Sequence, residues 1–122
     1  VGRLTSLSSA TADRVQILEL RLRLEQAAMD AYHLVSEPER MSYAQKVEER
    51  LPFLFGLVDG EDYLATHGLI RLARHVYSRT SDILHGRSTM LEAPAIILDE
   101  WKEVVAGVEK VVIDFRARTP NQ

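Results

Sequence analysis

Cysteine is absent from the 122 residues. That excludes disulfides, thiolate chemistry and every zinc site that needs a sulfur ligand. Long apolar runs are missing as well. The longest, LPFLFGLV from Leu51 to Val58, falls far short of the roughly 18 residues a membrane span requires. The opening stretch VGRLTSLSSATADR has no extended apolar segment of the signal-peptide kind. An excess of basic charge is also lacking. At a net charge of −3 the chain is not a globally basic nucleic-acid binder, which leaves only a local basic patch for that role. Repeats and low-complexity tracts are not found. These absences lead to the expectation of a cytoplasmic protein without membrane association.

What is present suits one globular unit. Hydrophobic residues make up 46% and charged residues 27%, enough apolar surface for one core in a chain the size of an ordinary domain. The expected organisation is a single helical-bundle domain over residues 1–122, with residues 1–8 frayed.

The hydrophobic pattern is helical throughout. In TADRVQILELRLRLEQAAMDAYHLV, residues Ile17, Leu20, Leu24, Ala27, Ala31 and Leu34 recur at spacings of three and four. Leu18, Leu22, Met29 and Tyr32 form a second stripe beside the first. Two stripes predict a helix that is central, or shared between its own core and a partner chain. A second helix starts at Ser36, with Glu39 completing a capping box, or at Ser42 with Gln45. It runs to about Leu51, where Pro52 breaks or kinks it. A third helix, capped by Asp59, runs from about Glu61 to His85 and ends on a left-handed Gly86. After a loop, Pro94 fits the first turn of the last helix. In that helix Ile97, Trp101, Val104, Val108, Val111 and Phe115 form a heptad-like seam. No segment alternates as a strand does. The fold class is all-α: a bundle of four main helices with short loops, and a kink or short extra helix near Pro52.

The third helix carries the chemistry-bearing residues. On a helical wheel Leu69, Leu72, Ala73, Val76, Thr80, Ile83 and Leu84 share one arc. His67, Arg71, His75, Ser78, Asp82 and His85 share the opposite one, and Arg79 lies at its edge. From Tyr63 to Ser88 there are four arginines against one acid, a positive strip in an acidic protein. An ordinary solvated helix face accounts for Arg71 and His75 as readily as a binding role does. A metal site is disfavoured, because no HExxH or ExxH pair occurs and the neighbouring arginines repel a cation. Phosphate chemistry fits better. Arginine holds a phosphate in bidentate fashion, and histidine moves protons near neutral pH, so the two together can cleave RNA without a metal.

The stretch YSRTSDILHGRS, Tyr77 to Ser88, concentrates these groups. Its RTSDILHG resembles the signature of the HEPN domains, a family of small all-helical bundles whose active members carry an Arg, four to six residues, then a His. Arg79 and His85 have five residues between them. The setting is similar too: the end of a long helix late in a bundle, followed by a loop and one more helix. The resemblance implies a homodimer in which the two motifs meet in a cleft. It also implies metal-independent endoribonuclease activity, without a cofactor, in toxin–antitoxin or phage-defence systems. Arg79 would then bind phosphate, His85 would act as acid and base, and Asp82 and Thr80 would support them. Arg71, His75 and Arg87 would line the mouth toward RNA. Active HEPN members commonly place Asn, Asp or His directly after the Arg, where this chain has Thr80. Two alternatives stand beside this. His85 can serve as a cap at the helix C-terminus, favoured by the dipole. The whole chain can be a catalytically silent module that dimerises or binds a cognate protein partner such as an antitoxin.

Overall fold

Between Gly2 and Val35 nothing in the sequence interrupts an α-helix: there is no proline, and the only glycine is at its first position. The computed structural model describes residues 2–36, 46–86 and 95–119, with side chains described from residue 11 onward. In it, helix α1 spans Gly2–Val35. The helix therefore takes in the stretch expected to be frayed, and its 34 residues reach about 50 Å. Helix α2 is a single turn, Val47–Arg50, followed directly by a 3-10 segment, Leu51–Leu57. A second 3-10 turn, Gly60–Asp62, leads into α3, Tyr63–Leu84, and α4 spans Ala95–Arg118. The four α-helices pack into an all-α bundle, with no strand among the described residues. None of these helices is long and apolar enough to cross a membrane.

The change from α-helix to 3-10 at Leu51 follows from Pro52. In a continuing α-helix residue 52 would donate its N–H to the carbonyl of Glu48, and proline has no N–H to give. That carbonyl is taken instead by Arg74 from α3, whose Nη2 donates to it at 2.8 Å. The 3-10 winding then places Leu51, Leu54 and Leu57 on one side, since three residues make a turn. All three are buried, and the segment touches α1, α3 and α4. Gly56 lets it pass close to α1: a Cβ there would stand 2.9 Å from both methyls of Val35. At the far end the carbonyl of Leu57 accepts a 2.7 Å bond from Arg118 of α4. The second helix, expected to start at Ser36 or Ser42, instead begins at Val47: Lys46 ahead of it is extended, with ψ 151°, and its N–H donates to the Glu49 carboxylate at 3.2 Å, which closes the first turn there. Ser42 lies outside the described residues. Asp59 precedes the 3-10 turn but makes no side-chain cap; its backbone carbonyl accepts the N–H of Asp62 at 2.9 Å.

Two ion pairs fix the direction of α1 against α4. Arg23 bonds Glu109 in bidentate fashion, Nε to Oε2 at 3.1 Å, and Arg116 stands 3.7 Å from Asp30. Both pairs step the same way along each helix, so α1 and α4 run parallel. The bidentate bond to Glu109 raises the Arg23 guanidinium further above its already high range, so this pair stays charged. Helix α3 runs antiparallel to α4, with Leu69 beside Gly107 and Arg79 beside Ile97.

The core comes from one stripe of each long helix. Ile17, Leu20, Leu24, Ala27, Ala31 and Tyr32 of α1 are buried. Tyr32 belongs to the second stripe expected on this helix, of which Met29 is half-buried and Leu18 and Leu22 are exposed. In α4 the buried set is Leu98, Trp101, Val105, Val108 and Val112. The expected seam shares Trp101 and Val108 with it, while Ile97, Val104, Val111 and Phe115 are half-buried and pack against its edge. The stripe is turned by one residue relative to the reading from spacing alone.

Candidate functional site

The end of α3 is built by its last carbonyls and by Gly86. The helix stops at Leu84, His85 leaves helical geometry, and Gly86 adopts φ +68°, the left-handed conformation expected of it. Its N–H donates to the carbonyl of Ile83 at 3.2 Å, and the His85 N–H donates to that of Ser81 at 3.0 Å. The His85 ring turns back over the same turn, with Nδ1 2.8 Å from the Ser81 carbonyl oxygen. A carbonyl only accepts, so this bond puts the proton on Nδ1. In the neutral ring Nε2 is then left as an acceptor on an exposed side chain. His85 thus caps the helix C-terminus by its Nδ1 and keeps its Nε2 as a hydrogen-bond acceptor toward solvent.

Asp82 does not orient His85, as expected from its place one turn earlier. It faces Arg79, Nη1 to Oδ2 at 3.9 Å, beyond hydrogen-bond length. The support for His85 comes from the backbone of Ser81. Thr80 is excluded from the site altogether. It is 0% exposed, and its hydroxyl donates to the Tyr77 carbonyl at 2.8 Å within its own helix. The physical reason is the apolar arc: position 80 follows Ala73 and Val76 on the buried face. Arg71 and His75 are exposed, as a polar face requires. Arg87 lies outside the described residues.

Arg79 and His75 form one rim of a groove of about 590 Å³ between α3 and α4. Its floor is apolar, made by Leu69, Val76, Ile97 and Trp101, and its other rim carries Glu100 and Glu103. Leu72, expected on the buried arc, is exposed at this groove. His85 is not among the lining residues. Among the described residues no three of His, Asp and Glu are grouped so as to hold a metal ion.

A second polar cluster, on the α1 side of α3, escaped the reading of the sequence. Arg21 donates from Nη2 to the Tyr77 hydroxyl at 2.9 Å, and its guanidinium lies 4.0 Å from the centre of the Tyr77 ring. The hydroxyl in turn donates to Glu25 at 3.0 Å. The Arg21 to Glu25 spacing, one helical turn, was legible as a local pair. Tyr77 was not, because it comes from a helix fifty-odd residues away. Burial, and then its bond to Glu25, push the Tyr77 phenol above its usual range. The folded state therefore holds this proton more tightly than the unfolded chain does. The stability it contributes is intact below about pH 10 and is lost as pH rises further. Melting temperatures across that alkaline range should fall more steeply for the wild type than for Tyr77→Phe, and parallel curves would refute it.

Comparison of the chain with protein-family models, with curated proteins and with solved structures finds no match.

Proposed function

We propose that the chain is a HEPN-like, metal-independent endoribonuclease that acts in the cytoplasm as a homodimer, in a toxin–antitoxin or phage-defence setting. The observation that supports this best is the His85 ring, exposed at the end of α3 with Nδ1 bound and Nε2 open. In this reading Nε2 accepts the proton of a ribose 2′-OH. The freed oxygen attacks phosphorus, and the phosphorus–O5′ bond breaks. The leaving oxygen takes a proton from the protonated His85 of the second copy, giving a 2′,3′-cyclic phosphate and a 5′-hydroxyl. Arg79 compensates the charge that builds on the phosphate oxygens. Its contact with Asp82 is long and half exposed, so the guanidinium exchanges it for phosphate at little cost. Arg71, His75 and Arg87 are the residues that would guide RNA toward it.

Total RNA incubated with purified protein in EDTA should be cleaved to fragments with cyclic phosphate ends. His85→Ala should lower the rate by roughly a hundredfold or more, the usual range for a lost acid–base group. RNA left equally intact by wild type and by an Arg79→Ala, His85→Ala double variant would end this reading.

The groove favours a second one, a catalytically silent module that binds a protein partner. An amphipathic helix would lay its apolar stripe on Leu72 and Trp101, with acidic residues toward Arg79 and basic ones toward Glu100. Salt-sensitive RNA affinity would count against it.

A further inference from the structure

Helix α1 has a face that the other described elements do not cover. Val15, Leu18 and Leu22 are 58%, 46% and 54% exposed, while Ile17, Leu20 and Leu24 on the opposite side are buried. The exposed set is spaced three and four, the a, d, a positions of a heptad, and the buried set occupies c, f and c. One helix therefore carries two seams, one closed by α3 and α4 and one open. The open seam ends near Glu25, because the flanking position at Ala28 is buried against the bundle.

We infer that this seam is the contact with a second copy of the chain, and that the two α1 helices pair in parallel. The direction follows from charge. In the heptad set by Val15 and Leu18, Arg14 takes position g and Glu19 the following e. In a parallel pair each g residue meets the next e residue of the other helix, so Arg14 would face Glu19 of the second copy, twice about the axis. In an antiparallel pair centred on Leu18, Arg14 would face Arg21 and repel it. Both Arg14 and Glu19 are exposed. Neither belongs to an ion pair among the described residues; Glu19 exerts only a longer-range pull on Arg23. Parallel pairing puts both copies' α3 C-termini at the same end of the dimer but on opposite sides of the α1 pair, because α3 runs against α1 and packs on its covered side, so this contact does not itself bring the two His85 residues into one cleft. The inference rests on α1 alone and does not need the ribonuclease reading.

Sedimentation at micromolar to tens of micromolar concentration should show a reversible dimer. Leu22→Glu should yield a monomer with an unchanged melting curve measured at concentrations where the wild type is also monomeric. Arg14→Glu and Glu19→Arg should each weaken association about tenfold, or about 1.4 kcal/mol, and combining them should restore it. Because the chain has no cysteine, Leu18→Cys adds a single thiol that should cross-link two copies on mild oxidation. A wild type that stays monomeric would overturn the proposal. Tighter association of Arg14→Glu would overturn the parallel arrangement. A Leu22→Glu variant that melts much lower with no change in mass would mean that the chain itself covers the seam.

Discussion

Leu54→Ala should lower stability by about 3 kcal/mol and the melting temperature by roughly 10 °C. Leu54 is fully buried in the middle of the 3-10 segment, where α1, α3 and α4 meet. Removing its isobutyl group forfeits the transfer energy and leaves a cavity bounded by three helices that cannot all close on it. The surroundings are held from outside, by Arg74 on the Glu48 carbonyl and by Arg118 on the Leu57 carbonyl, so collapse is restrained. Thermal denaturation of the two proteins under matched conditions measures the difference. A loss below about 1 kcal/mol would mean that the segment repacks freely and is not a fixed part of the core.

Thr80→Asp should be worse still at neutral pH, costing about 3–5 kcal/mol, the range for an unpaired buried charge. It would give this chain one of the residues common after the Arg in active HEPN domains, but at a fully buried position. The penalty should depend on pH with a definite sign. Burial raises the folded-state pKa of the new carboxyl, so the folded protein binds that proton more tightly. The deficit relative to wild type should therefore shrink as pH falls toward about 4, the unfolded value. Thr80→Val, which keeps the shape and removes only the bond to the Tyr77 carbonyl, should cost no more than about 1.5 kcal/mol. Denaturant titrations of the three proteins at neutral and acid pH measure both effects. An Asp variant as stable as wild type at neutral pH would show that position 80 can turn outward.

The long helices were legible because their apolar spacing repeats over many turns, and the end of α3 because only glycine adopts its left-handed conformation without strain. What spacing left ambiguous was the rotation of α4. That helix carries adjacent apolar pairs, Val104–Val105 and Val111–Val112, and periodicity does not decide which member of a pair turns inward. The packing against α1 chose Val105 and Val112. Arg79 and His85 stand out in the sequence as polar groups near a helix end. The roles of their neighbours do not. Thr80 carries a hydroxyl that suits a site equally well on paper, yet its methyl and its position on the wheel send it to the core. Asp82 was within reach of both Arg79 and His85 by spacing, and the end of the helix gave His85 a backbone carbonyl instead. The bond between Glu25 and Tyr77 depends on how α1 and α3 pack, which no local pattern encodes.

The parallel course of α1 and α4 bears on how the chain assembles. The bond from Arg23 to Glu109 joins residues 86 apart. A bundle in which each helix pairs only with its sequence neighbours can form by successive short-range closures. Here the apolar face of the first helix waits for the last one, and closing so long a loop has an entropic cost that local contacts avoid. During synthesis, Ile17, Leu20 and Leu24 stay without their α4 neighbours until the Ala95–Arg118 segment has emerged. In that interval the nascent chain presents two apolar stripes rather than one.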